Sequence, residues 1–373
     1  MTQTQRPRHL PALDGVRGLA ILAVMWFHLP GGSMPAISNR LIQITQPGYF
    51  GVDVFFALSG FLITRILLVE PPRLDSAKRF LIKRALRIFP IYYLFLLGYW
   101  IFDGGGTDLA GAALYAGNYT IYALGCRQDF HHLWSLAIEE HFYLLWPWIV
   151  LFLPQRWGRL ACQFLIPAFA LLAASLHAVW LDPKDSSFLT FLSTQTRIFT
   201  LSLGSALAYL ERDGFFASKR QRSATIIVLL ASLFLLLVIR KIGVGPAWPV
   251  VRLGISGLVS TSFLAFCVFD NDRSFGKLLG HTWLRKIGGI SYGLYLYHQA
   301  VYCWFGLMRK SDVHPTQTMV AAILVSFCLA AFSFWWIEKP LLGFRKRLLP
   351  DPSVAPVQAA AHGVPSGGSS GHG

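Results

Sequence analysis

Charged side chains are scarce in this chain, at 14% of 373 residues. A soluble domain carries about a quarter, so a water-facing surface cannot be built from this supply. Acidic residues are scarcest, with 18 Asp and Glu against 33 Lys and Arg. The resulting surplus of +15 invites a nucleic-acid reading. That reading fails because the cations fall in short clusters between apolar runs of membrane-spanning length. Cysteine is sparse too: Cys126, Cys162, Cys267, Cys303 and Cys328 form no CxxC pair. Four of them lie within apolar runs and read as buried free thiols, so neither disulfides nor a metal site is expected. No small-residue cleavage pattern follows Phe27 and His28, and Asp14 and Arg17 interrupt the start of the first run. That run is therefore expected to be a retained span rather than a leader. There is no tandem repeat.

Hydrophobic residues are abundant, at 54%, with a mean hydropathy of +0.50. A spanning helix needs about 20 mostly apolar residues. Ten segments qualify: 13–29, 49–69, 86–102, 133–153, 160–181, 188–210, 223–239, 252–269, 287–308 and 317–337. An eleventh, 109–124, is short, rich in Gly and Ala, and carries Asn118. With that segment not spanning and the N-terminus inside, 22 of the 33 basic residues fall on the cytoplasmic side and 8 outside. This matches the positive-inside bias. The expected fold is an all-α polytopic transmembrane helix bundle of about ten spanning helices, both termini cytoplasmic. Residues 1–348 form the membrane domain, and the Ala-, Pro-, Gly- and Ser-rich tail 349–373 is expected to be disordered. Tyr92, Tyr93, Trp146, Trp148, Trp335 and Trp336 stand at segment edges, as an interfacial belt would.

Ionisable residues inside spans are expensive and need a partner or a role. In the first span, Arg17 and His28 are eleven residues apart, about three turns and roughly 16 Å of rise, so they share a face. Asp14 and Arg17 are spaced to pair. The fourth span carries Glu139 and Glu140 roughly two turns inside, and a pairing of either carboxylate with His28 would orient an imidazole for general-base work. Only one of the two is expected to face a given partner, since adjacent residues diverge by about 100°. Arg84 and Arg87 share a helical face and suit phosphate oxygens, although a positive-inside cluster also explains them. Arg197 lies within the sixth run and needs an internal anion or carbonyl partner.

These residues resemble the acyltransferase 3 family of integral-membrane acyltransferases. Arg17 and His28 look like its first-helix signature, and Gly51 to Ile63 is similar to its second-helix block. Arg84 and Arg87 match its Arg-x-x-Arg motif. Trp134 to Tyr143 looks like its Trp-Ser-Leu block with paired glutamates, and Ser291 to His298 and Glu338-Lys339-Pro340 also fit. The resemblance covers roughly residues 9–345. His141 departs from it, standing where members commonly carry Gln. Some members carry an appended periplasmic esterase-like domain that this sequence does not show, so all chemistry is expected within the membrane domain.

The resemblance implies an inner-membrane, multi-pass O-acyltransferase. Its co-substrate would be acyl-CoA, acetyl-CoA by family frequency, with no metal. The acceptor would be a carbohydrate hydroxyl, on an exopolysaccharide, lipopolysaccharide, lipochitooligosaccharide or glycoside. Arg84 and Arg87 would hold the CoA phosphates. His28, with Arg17 and with Glu139 or Glu140, would be catalytic, and the family pattern favours Glu140. Asp53, Trp134, Arg197 and His298 would bind substrate, with His298 next in line as base. An acyl-histidine relay is the alternative mechanism. A transporter or flippase for a lipid-linked sugar is the alternative function, since intramembrane charges also mark translocation paths.

Overall fold

The structure is a computed structural model that describes residues 8–29, 48, 50–104, 106–125, 129–215, 218–308 and 315–348. It is all-α, with no strand among the described residues. Six helical stretches are long and apolar enough to cross a membrane: Phe50–Leu67, Leu74–Phe102, Gln155–Trp180, Lys219–Ile239, Gly245–Phe269 and Thr316–Phe344. The chain is thus a multi-pass membrane protein. The tail 349–373 lies outside the described residues.

The remaining four expected spans are helices of a different character. Helix α1 is Pro11–Phe27, and α2 is Phe50–Leu67. Helix α3, Leu74–Asp103, runs for 30 residues, about 45 Å. That exceeds the roughly 30 Å of a hydrocarbon core, so Arg84 and Arg87 stand on an ordered helix that extends past the apolar segment rather than in a loop. The segment 109–124 is two short helices, α4 (Thr107–Ala113) and α5 (Gly117–Leu124), broken where Tyr115 has φ 53°. At roughly 1.5 Å per residue neither can cross a bilayer alone. Helix α6 is Trp134–Phe152, and α7 (Gln155–Leu160) continues through one π turn into α8, Ile166–Trp180.

The expected span 188–210 is not continuous. It is divided between α9 (Pro183–Leu192) and α10 (Thr194–Arg212) by an extended Ser193, with ψ 140°. Local chemistry accounts for the break. Asp182 caps the start of α9 by accepting from the Lys184 and Asp185 amides, with Pro183 at the first helical position. At the other end the Thr196 hydroxyl donates to the Thr190 carbonyl, at 2.6 Å, satisfying a group in the last turn of α9, and also lies 3.0 Å from the Ser193 carbonyl. Arg197 therefore sits in the first turn of α10 rather than in mid-span. Helices α11 (Lys219–Ile242), α12 (Trp248–Phe269) and α13 (Ser274–Leu279) follow. The ninth expected span is also split, into α14 (Thr282–Gly289) and α15 (Ser291–Trp304), before α16 (Thr316–Ser333) and α17 (Lys339–Leu348).

Packing separates the helices into a core and a coat. Lys219–Ile239, Gln155–Trp180 and Thr316–Phe344 bury only 11%, 22% and 22% of their apolar windows, which leaves most of each facing outward. Helices α2 and α10 are the most extensively packed pair. A Cβ at Gly60 would collide with the Leu201 carbonyl, and one at Gly204 with the Ala57 carbonyl. Ser205 donates to the Gly60 carbonyl at 3.2 Å across the same contact. In lipid, where apolar burial between helices gains little, such close approach and polar contacts supply the association.

Two side chains expected in the aromatic belt are core residues instead. Trp146 is fully buried and donates to Thr64 Oγ1 at 2.7 Å, and buried Tyr92 donates to the Ala112 carbonyl at 2.8 Å. Trp148, Trp335, Trp336 and Tyr93 are exposed, as a belt requires. Cys162 and Cys267 are buried free thiols, Cys303 is partly buried, and Cys328 is exposed on the outer surface.

Replacing Gly204 by Val should wedge α2 away from α10. The expected cost is about 1–3 kcal/mol or more, seen as a lower melting temperature and lower folded yield in detergent. An unchanged melting temperature would refute the close contact.

Candidate active site

The polar side chains of the core gather around two cavities. The larger, of about 850 Å³, is lined by His28, His132, Trp134, Phe191, Arg252 and Tyr295 among others. That volume is in the range that accepts small-molecule ligands. The smaller, of about 100 Å³, collects Arg17, Arg84, Arg87, Ser59, Glu139, Glu140 and Tyr143. It can admit only the end of a long ligand. Val52 and Tyr295 line both, so the two cavities meet at a shared wall. The Tyr295 hydroxyl is fixed by the His132 carbonyl at 2.9 Å and by Ser135 Oγ at 2.5 Å.

His28 closes α1 at its C-terminal end, where its Nδ1 lies 3.0 Å from the Val24 carbonyl oxygen. Its side-chain partner is His298, whose Nε2 is 3.1 Å from the same Nδ1. The expected pairing with Glu139 or Glu140 is not what the structure contains. Both carboxylates face the smaller cavity, on the far side of the Tyr295 wall from His28. Glu139 accepts from Ser59 Oγ at 3.1 Å and from the Tyr143 hydroxyl at 2.5 Å. Tyr143 is four residues along α6, a spacing from which this bond follows directly. Glu139 and Glu140 both line this cavity, but Ser59 and Tyr143 are met by Glu139, in keeping with the divergence of adjacent side chains on a helix.

Arg17 pairs with Asp14 at 3.3 Å, as their spacing requires, and reaches the smaller cavity alongside Arg84 and Arg87. The Arg84 guanidinium lies over the rings of Phe80 and Tyr143, at 5.6 and 5.2 Å. Such stacking fixes a planar cation while leaving its edge for an anion.

Arg197 finds the internal anion its position demanded. Its guanidinium is 2.6 Å from Asp53, and the two side chains are 4% and 1% exposed. Thr200 also donates to Asp53, at 3.4 Å. Asp53 lines neither cavity, so its expected contact with substrate is replaced by a contact with Arg197. The guanidinium in turn lies against the rings of Phe56, Trp134 and Phe191, at 5.2, 5.6 and 5.4 Å. The pair therefore props two aromatic walls of the larger cavity from behind. His141, the departure from the family pattern, bonds Thr194 at 2.8 Å, next to the break before α10.

Arg17, Arg84, Arg87, Glu139 and Glu140, each marked by the sequence, are united by the fold, whereas His28, expected beside one of the carboxylates, lines the other cavity. Sequence reasoning missed Tyr295, Ser135, Ser59 and Tyr143. All four had a signal, since each lies within a block that resembles the family. His132, just ahead of the fourth run, was not singled out, yet its ring is buried with Nε2 3.1 Å from the Leu296 carbonyl. Among the described residues no group of three or more His, Cys, Asp or Glu is arranged to hold a metal ion.

The profile of the acyltransferase domain family matches residues 10–338 of this chain. The chain belongs to that family. It is 30% identical, over 92% of its length, to the putative peptidoglycan O-acetyltransferase YrhL of Bacillus subtilis, of which it covers 57%. It is 26% identical over 90% of its length to the peptidoglycan O-acetyltransferase OatA of Listeria monocytogenes, covering 56% of that protein. The O-acetyltransferase OatA of Staphylococcus aureus is 29% identical over 90% of the chain, with 57% covered. The chain thus spans a little over half the length of these curated relatives. No solved structure matches it.

Removing one member of the Asp53–Arg197 pair should be more damaging than removing both. Asp53→Asn leaves a buried cation without its counter-charge, a loss of roughly 3–5 kcal/mol. The double variant Asp53→Leu with Arg197→Met should melt at a higher temperature than Asp53→Asn. Equal melting temperatures for the single variant and the native protein would remove the propping role.

Proposed function

We propose that this chain is a membrane-bound O-acyltransferase of the inner membrane. It moves an acyl group, acetyl by analogy with its O-acetyltransferase relatives, from acyl-CoA to a hydroxyl of a surface carbohydrate. Peptidoglycan, for which two relatives are named, is the first acceptor to test. The observation that carries this reading is the shared wall. An arginine-lined cavity suited to a phosphorylated donor abuts a larger cavity that contains a histidine suited to act as base.

In this reading Arg84 and Arg87 hold the CoA phosphates at the end of α3 that projects beyond the apolar segment. The acyl-pantetheine arm enters the smaller cavity past Arg17, Glu139 and Glu140, and the thioester reaches the wall at Val52 and Tyr295. The acceptor occupies the larger cavity against Trp134 and Phe191. His28 takes the proton of the attacking hydroxyl, the oxygen bonds to the thioester carbon, and the carbon–sulfur bond breaks. The CoA thiolate leaves and recovers the proton from His28. Glu139 is held by two hydrogen bonds and serves to orient Tyr143 and Ser59 at the donor cavity, so neither carboxylate is assigned as the partner of the base.

Donor and base variants should separate cleanly. Arg87→Ala should raise KM for acetyl-CoA about ten- to hundredfold, since a charge-assisted contact contributes roughly 1.5–3 kcal/mol. His28→Ala should abolish transfer while acetyl-CoA binding to the purified protein persists. Assays with labelled acetyl-CoA in membranes at matched protein levels check both. Wild-type transfer by His28→Ala would place the base elsewhere, and unchanged KM in Arg87→Ala would leave that residue only a topological role.

A further inference from the structure

His28 lines the larger cavity, His298 is buried beside it and lines neither cavity, and the constraint between their rings begins in the backbone. His298 lies in α15 and is fully buried. Its Nδ1 sits 3.0 Å from the Leu294 carbonyl oxygen and 2.8 Å from that of Tyr295. A carbonyl oxygen can only accept, so this Nδ1 carries the ring proton. In a neutral imidazole the other nitrogen is then an acceptor, and His298 Nε2 offers its lone pair to His28, 3.1 Å away. His28 Nδ1 thus faces two acceptors, His298 Nε2 and the Val24 carbonyl at 3.0 Å, and must be the donor. The lone pair of His28 is left on Nε2. His132, the third imidazole of the cluster, turns its Nε2 to the Leu296 carbonyl and does not compete for His28.

We propose that His298 is the positioning residue for His28. It fixes the tautomer that leaves Nε2 of His28 as the reacting nitrogen, and it supports the charge that appears there. The inference rests on the reading of His28 as the base. When the acceptor hydroxyl passes its proton to His28 Nε2, the oxygen's electron pair forms the ester bond and the thioester carbon–sulfur bond breaks. The imidazolium keeps its Nδ1–H on the lone pair of His298 until the departing thiolate takes the new proton back. His298 is in turn polarised through its own Nδ1–H by the Leu294 and Tyr295 carbonyls. In a Ser–His–Asp triad a buried carboxylate orients the base and stabilises its charged form. Here a neutral imidazole anchored to helix carbonyls takes that place, which avoids putting a further charge in the bundle.

Two variants of His298 and one spectrum test this. His298→Gln can set a carboxamide oxygen near the position of Nε2 and keep the acceptor. His298→Leu keeps the bulk and removes it. With acetyl-CoA and a peptidoglycan fragment as substrates, His298→Leu should lose roughly 10²-fold in kcat, the lower end of general acid–base effects. Its KM for acetyl-CoA should not change, and His298→Gln should recover most of the lost kcat. The ¹⁵N NMR spectrum of full-length, histidine-labelled protein in detergent supplies a readout that needs neither turnover nor a folded His298 variant. The His28 signals, assigned by their disappearance in His28→Gln, should show a protonated Nδ1 and a bare Nε2. A protonated Nε2 on His28, native kcat in His298→Leu, or equal kcat in the Leu and Gln variants would each overturn the proposal. Full turnover by His28→Gln would strike instead at the reading of His28 as base. The spectrum tells the two failures apart, because the tautomer does not depend on the reaction.

Discussion

A side chain that carries charge or must hydrogen-bond cannot face hydrocarbon without a partner, and the arrangement of this bundle follows from that constraint. The helices that hold Arg17, His28, Glu139, Glu140, Arg197 and His298 are α1, α6, α10 and α15. None of these four is among the stretches long and apolar enough to cross a membrane by themselves. They are instead covered by neighbours such as α8, against α10, and α16, against α15, whose apolar surfaces largely face outward. Three of the cations are then settled locally: Arg17 by Asp14, Arg197 by Asp53, and Arg65 by Glu211 at 2.7 Å. The polar interior is a product of the coat.

The same constraint explains why backbone breaks sit where they do. Non-helical backbone at membrane depth is tolerated only where protein covers it. Ser193 and Ile290 interrupt helices inside the bundle, and Thr196 donates to the Thr190 carbonyl at the first of them. Each break aims the next helix, α10 or α15, at a cavity wall. Arg197 in the first turn of α10 reaches Asp53, and Tyr295 and His298 on α15 reach Ser135 and His28.

Much of this was legible in the sequence, and what was not has a common cause. Apolar run length gave the all-α membrane class and the positions of the helices, because lipid imposes that pattern on the chain one segment at a time. Spacing along a single helix gave the Asp14–Arg17 pair and the shared face of Arg84 and Arg87. Contacts between helices were another matter. His28 and Glu139 were placed at compatible depths, but depth does not say which helix is the neighbour, and the structure puts α15 beside His28. Runs 188–210 and 287–308 read as unbroken because hydrophobicity averages over Ser193 and Ile290. Tyr92 and Trp146 read as interfacial anchors because a segment edge in sequence resembles a membrane edge in space.

The proposed transfer depends most on the donor and the base occupying different cavities that meet at Val52 and Tyr295. A structure of the protein with a non-hydrolysable acetyl-CoA analogue would test that directly. The phosphates should lie on Arg84 and Arg87, the pantetheine arm should run past Arg17 and Glu139, and the acyl carbon should end at the Tyr295 wall, beside His28. An analogue seated with its phosphates in the larger cavity, among Lys184 and Arg252, would contradict the account.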